Sequence, residues 1–202
     1  MNQEFETRNQ IDERVLKHYK YGSRVYGCNN KNSDFDYIFI VESDNDELYY
    51  SVELPNVNMT VYSEAKFIKL IEQHHISALE CIFQDENDEY LKYFKLDLEK
   101  LRRSISSVSS NSFVKCKKKI KQGDVYIGKK SMFHSLRILN FGIQIAKYGK
   151  IDSYSCANVH HKTIFEMGDD WEEINNKFKP IYNSLKTLFK KVAPLESDII
   201  GN

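Results

Sequence analysis

No stretch of this chain comes close to the roughly 20 consecutive apolar residues that a bilayer-spanning helix needs, so a protein threaded through a membrane by helices is excluded. Met1 to Arg14 is charged and polar and lacks the apolar core of a secretory leader. Cysteine is sparse and shows no pairing pattern. Cys28, Cys81, Cys116 and Cys156 are scattered, with no Cys-x-x-Cys pair and no zinc spacing. A disulfide framework and a zinc module are therefore not expected; reduced thiols in a cytoplasmic protein are. Internal repeats and low-complexity tracts are missing too. Net charge is also absent, since 29 Lys and Arg balance 29 Asp and Glu.

What remains is ordinary globular material. The 202 residues suffice for one domain or two small ones, and 41% apolar with 13% aromatic residues can build a packed core. The charge is unevenly spread. Residues 1–96 carry 10 basic against 18 acidic side chains, a net −8, and residues 97–202 carry 19 against 11, a net +8. Such halves suit a metal on one side and polyphosphate on the other. Simple mutual attraction of the halves explains the asymmetry equally well.

The most informative stretch is Tyr21-Gly22-Ser23-Arg24-Val25-Tyr26-Gly27, followed by Ser33-Asp34-Phe35-Asp36-Tyr37-Ile38-Phe39-Ile40-Val41. Its second half reads as an apolar strand running into a polar turn at Glu42 to Glu47. Side chains alternate across a strand, so Asp34 and Asp36 project from one face. Two neighbouring carboxylates repel unless a cation lies between them, and Mg²⁺ is typically held by one or two carboxylates plus substrate phosphates. A Gly-Ser turn can offer backbone N–H groups and a hydroxyl to a phosphate. The plainer alternative is a surface turn before a strand that happens to begin with acids.

Gly22-Ser23-Arg24, Gly27 and Ser33-Asp34-Phe35-Asp36 together resemble the signature of the DNA polymerase β-type nucleotidyltransferase superfamily, above all its small stand-alone bacterial and phage members. The resemblance implies an α+β fold: a nucleotidyltransferase-type mixed sheet with flanking helices, then a C-terminal helical bundle. It implies a catalytic domain over residues 1–95 and a helical domain over 96–202. It also implies Mg²⁺ (or Mn²⁺) held by Asp34 and Asp36, an NTP gripped by Gly22, Ser23 and Arg24, and transfer of NMP to a hydroxyl on a small molecule, protein or RNA.

In this family a third carboxylate begins a stretch resembling Asp-apolar-Thr-apolar-Tyr-Ser before a helix. Here that stretch is Asn58-Met59-Thr60-Val61-Tyr62-Ser63, so the third catalytic position holds an amide. An amide oxygen can ligate a metal but brings no charge and takes no proton. Glu53 or Glu80 could stand in. Two other functions stay open: an NTP-binding regulator with impaired catalysis, and a toxin–antitoxin transferase acting on a partner protein.

A second resemblance lies at Lys130-Ser131-Met132-Phe133-His134-Ser135-Leu136-Arg137. Lys130, His134 and Arg137 share a helix face and match a Lys-x3-His-x2-Arg helix of some small transferases, where cationic groups meet the triphosphate. A solvated helix face is the competing account. The pairs His74-His75 and His160-His161 lack partners at zinc spacing, and the lysines from Lys115 to Lys121 offer only weak support for nucleic acid.

The remaining expectations concern secondary structure. Residues 9–19 read as a short helix with Ile11, Val15 and Leu16 apolar. Leu48 to Glu53 and Val57 to Tyr62 read as strands, and Ser63 as the cap of a helix. Helices are expected at Ser77 to Phe83 and Leu91 to Ser104, with a serine-rich break over Ser104 to Ser112. Phe113 to Ile120 would continue as a helix until Gly123-Asp124 and Gly128 interrupt it. Lys129 to Tyr148, Val159 to Glu166 and Trp171 to Lys191 complete the helices. The turn over Gln84 to Glu89 is the expected domain boundary, and a tail starts at Pro194.

Overall fold

The computed structural model describes Arg8 and residues 10–195; the expected tail lies outside them from residue 196 on. The α+β architecture is present. Four strands, β1 (Val15–Tyr21), β2 (Phe35–Val41), β3 (Tyr49–Leu54) and β4 (Val57–Ser63), form a mixed sheet in the order β1-β2-β4-β3. β2 and β4 run parallel at its centre, and β1 and β3 are antiparallel edges. A one-turn helix α1 (Ser23–Tyr26) links β1 to β2, and helices α2 (Glu64–Glu72) and α3 (Ile76–Ile82) follow β4.

The residue chemistry explains the sheet. In β4, Val57, Met59 and Val61 are buried on one face, where they meet Tyr37, Phe39 and Val41 of β2 and Ile11. Asn58, Thr60 and Tyr62 take the other face, as period-2 alternation requires. On that face Tyr62 stacks with Tyr49 of β3, ring centroids 5.2 Å apart, and Phe67 of α2 stacks with Tyr19 at 5.6 Å. Ser63 caps α2, its hydroxyl accepting from the Lys66 backbone N–H at 3.2 Å.

The segment read as a helix over residues 9–19 is corrected: Val15–Tyr21 is a strand. The stripe of Ile11, Val15 and Leu16 fitted a helical period, but Leu16 is exposed while Lys17, Tyr19 and Tyr21 alternate inward. Long-range partners decide it. Tyr19 donates its hydroxyl to Asp88 at 3.0 Å, and the Lys17 ammonium lies 2.8 Å from the same buried carboxylate. Asp88 belongs to the turn read as a domain boundary; that turn lies inside a compact unit that continues to Phe94.

A second compact unit comprises His74–Ile76 and the chain from Lys95 on. Its helices are α4 (Leu98–Lys121), α5 (Val125–Tyr148), α6 (His161–Glu166) and α7 (Trp171–Val192). The expected helix at Leu91 to Ser104 starts later, at Leu98 behind an Asp97 cap, with a 3-10 turn over Glu89–Tyr93 before it. The serine-rich break is also corrected, because α4 is continuous through it. The serines stay helical by bonding locally and to α5: Ser112 donates to the Val108 carbonyl and Ser109 to the Ser135 carbonyl, each at 2.9 Å. Gly128 does not interrupt a helix either. It sits within α5, where a Cβ would lie 2.5 Å from Ile120 and 3.2 Å from the Cys116 carbonyl, so its bareness lets α4 and α5 approach. Among the described residues no helix is long and apolar enough to cross a membrane.

Candidate functional site

The sheet delivers its polar groups to one end of the first unit. β1 closes at Tyr21, and Gly22 follows with φ 77° and ψ −157°, a backbone state reserved for glycine. α1 then turns the chain, and Gly27 ends it in the left-handed conformation. A tight loop brings the chain back: the Asn30 N–H donates to the Ser33 hydroxyl at 2.9 Å and the Asn32 N–H to the Asn30 side chain at 2.8 Å. β2 starts directly after Asp34.

Asp36 pairs in register with Asn58 of β4, and one atom ties the acids together. Asn58 Nδ2 donates to Asp36 Oδ1 at 3.0 Å and reaches Asp34 Oδ2 at 3.4 Å. Both carboxylates therefore face the same amide, as the Asp-x-Asp spacing implied. The other Asp36 oxygen lies so close to Gly22 that a Cβ there would come within 2.1 Å of it. The glycine is needed twice, for its dihedrals and for this contact. Gly22→Ala is expected to cost about 1–3 kcal/mol in backbone strain alone and to displace the Asp36 carboxylate. A melting temperature lower by at least about 2–4 °C, together with weaker Mn²⁺ binding in a titration, would check this.

Ser23 has a hydroxyl with no protein partner among the described residues, so it is available to a ligand. Arg24 reaches backbone carbonyls of the loop that follows it. Its Nη2 donates to the Ser33 carbonyl at 2.7 Å and its Nε to the Asp34 carbonyl at 3.3 Å, while the guanidinium lies 3.7 Å over the Phe35 ring. It fastens the backbone that carries Asp34. Glu80 is fully buried and accepts a hydrogen bond from the Tyr26 hydroxyl. Glu53, on β3, is exposed and paired in register with Asn58 of β4 across the two-residue turn at Pro55-Asn56.

In the second unit, Lys130, His134 and Arg137 do share one side of α5. Lys130 is exposed, with its ammonium 5.4 Å from the Tyr126 ring centre, whereas Arg137 is only 5% exposed. Arg137 Nη2 lies 2.6 Å from His134 Nδ1. Guanidinium nitrogens only donate, so His134 accepts and is a neutral orienting group, not a cation. Burial, then the charges of Arg137 and Lys115, hold its pKa well below the ordinary histidine value. Lys129, which the sequence did not single out, is buried and donates to the Met167 carbonyl at 2.7 Å and to Asp169 at 2.8 Å.

The remaining reactive groups are explained without chemistry. Burial pushes the Cys116 thiol up to about 12 and Cys156 to about 11, so neither is a ready thiolate. His74 accepts from the Asp97 N–H at 3.0 Å. Lys118, Lys119 and Lys121 close α4, where cations suit the helix dipole, and Lys119 pairs with Asp124 at 2.8 Å. Among the described residues no group of three or more His, Cys, Asp or Glu is set to hold a metal ion. The donor set that fits one is the Asp34–Asp36 pair, which suits a small cation that completes its shell with phosphate and water.

No family model and no curated protein matches the chain. Among solved structures it is similar to a nucleotidyltransferase-like protein from Exiguobacterium sibiricum, at 10% identity and a TM-score of 0.34, covering 93% of this chain and 72% of that one. It is also similar to the spectinomycin adenyltransferase of Enterococcus faecialis solved with ATP and spectinomycin, at 16% identity and a TM-score of 0.49, covering 93% of this chain and 98% of that one.

Proposed function

We propose that this protein is a Mg²⁺-dependent nucleotidyltransferase, Mn²⁺ serving equally, that moves NMP from an NTP to a hydroxyl acceptor and releases pyrophosphate. The observation that carries the reading is the single Asn58 nitrogen shared by Asp34 and Asp36, with Gly22 pressed against the second carboxylate. The amide's positive edge lies where a cation between the two acids would be drawn. Asp34 and Asp36 would hold the metal, whose chemistry is to neutralise phosphate charge and align the α-phosphorus. The free Ser23 hydroxyl would position a phosphate, and Arg24 keeps Asp34 in place through its backbone. The labelled-substrate experiment is direct. Incubation with α-labelled ATP, GTP, CTP and UTP plus cell extract is expected to move label onto an acceptor only when Mg²⁺ is present.

Asn58 supports a second reading, an NTP-binding regulator without turnover, since an amide supplies no proton acceptor. NTP binding with no label transfer from any of the four nucleotides would establish it.

Lys130 is assigned to the NTP phosphates by resemblance, and its exposure makes it the cleaner probe; Arg137→Ala would also open the core. Lys130→Ala is expected to weaken NTP binding severalfold more than NMP binding, with the difference shrinking at high salt. Equal losses for both nucleotides would return the helix face to solvent.

A further inference from the structure

The carboxylate missing at position 58 has a neighbour. β3 and β4 are antiparallel with Glu53 directly opposite Asn58, and Asn58 is in turn beside Asp36 of β2. Residues paired across strands share a face, and the 5.2 Å stack of Tyr49 on Tyr62, four residues away on the same strands, confirms which face it is. Glu53, Asn58 and Asp36 thus form one row at the same end of the sheet. Cross-strand partners bring Cβ atoms to about 4.5–5.5 Å.

The Glu53 carboxylate is unengaged, unlike those of several other acids of this unit. Glu42 lies 3.1 Å from Arg14, Glu47 is held by Lys66 and Lys69, Glu64 accepts from Tyr90 at 2.9 Å, and Asp88 binds Lys17 and Tyr19. Among the described residues Glu53 has no hydrogen-bond or ion-pair partner, and it is exposed. A carboxylate that is unengaged, water-facing and one strand from Asn58 is open to an incoming acceptor. It does not complete a three-acid metal cluster, so its chemistry differs from that of Asp34 and Asp36.

We propose that Glu53 is the general base of the transfer, relocated by one strand from the position that Asn58 occupies. This rests on the nucleotidyltransferase reading above. In the step, the acceptor O–H gives its proton to the Glu53 carboxylate as its oxygen forms a bond to the α-phosphorus. The bond from that phosphorus to the bridging oxygen breaks, and pyrophosphate leaves with the electron pair. Asn58 takes no proton; its amide keeps Asp34 and Asp36 aligned beside the base.

The test uses the full chain, the four α-labelled NTPs with cell extract, and Mn²⁺ titration as a readout independent of turnover. Glu53→Gln is expected to lower label transfer by about 10²-fold or more while Mn²⁺ binding stays within about twofold of wild type, because Glu53 neither ligates the ion nor hydrogen-bonds to Asp34 or Asp36, and so is not an outer partner of the kind whose loss weakens metal binding. The double variant Glu53→Gln with Asn58→Asp is expected to recover transfer, because a carboxylate returns one strand away. A Glu53→Gln protein that transfers at the wild-type rate overturns the proposal and leaves the transferase reading intact. Loss of Mn²⁺ binding along with rate also overturns it, by making Glu53 a metal ligand. A wild-type protein that transfers label from none of the four NTPs overturns both.

Discussion

Asp34→Asn is expected to abolish Mg²⁺-dependent NTP binding and any label transfer, without harming the fold. Asp34 is exposed, and its contact with Asn58 Nδ2 is long at 3.4 Å. Its carboxylate therefore adds little to packing, and removing one of two neighbouring negative charges relieves repulsion. For a metal site the same change removes half of the charge that attracts the ion. Loss of an outer partner alone costs 10–100-fold in metal affinity, so loss of a direct ligand should exceed about 100-fold. In EDTA the variant should melt no lower than wild type; with Mg²⁺ and NTP the wild type should gain stability and the variant should not. A variant that melts well below wild type in EDTA would make Asp34 a structural residue and remove the main support for a metal here.

Asn58→Asp should show the largest metal-linked change in stability. The substitution deletes the donor that serves both acids and sets a third carboxylate against them. Like charges about 4 Å apart repel by about 1–4 kcal/mol between water and a surface-like dielectric. At about 2–4 °C per kcal/mol, the variant should melt several degrees lower than wild type in EDTA. Mg²⁺ or Mn²⁺ should reverse the deficit, because a cation among three carboxylates turns repulsion into attraction. Thermal melts with and without metal measure this. If the melting temperature does not respond to metal, the three positions do not converge on one ion. With Glu53 intact, transfer by this variant should stay within about tenfold of wild type, since a base is already present. Its larger effect on rate belongs to the Glu53→Gln background.

Much of the candidate site was legible because it is local. Gly22, Ser23, Asp34 and Asp36 lie within fifteen residues, and a strand's period-2 alternation fixes which side chains share a face before any tertiary contact forms. The Ser63 cap and the alternation of Val57, Met59 and Val61 were readable for the same reason. The sequence also showed that position 58 holds an amide where the resemblance expects an acid.

Other features depended on partners distant in the chain. Residues 15–21 carry a pattern compatible with helix or strand, and pairing with β2 and the Lys17 and Tyr19 contacts to Asp88 decided for strand. The serines of α4 have poor helix propensity in isolation, yet packing against α5 and the Ser109 bond to Ser135 keep the helix unbroken. Arg24 was read from its motif as a phosphate ligand, but its reach to the Ser33 and Asp34 carbonyls depends on how the loop closes. His134 shared a helix face with two cations, and only burial and its contact with Arg137 make it neutral. The register that sets Glu53 opposite Asn58 follows locally from the two-residue Pro55-Asn56 turn between β3 and β4, whereas the placing of Asn58 beside Asp36 needs the parallel pairing of β2 with β4, strands distant in the chain.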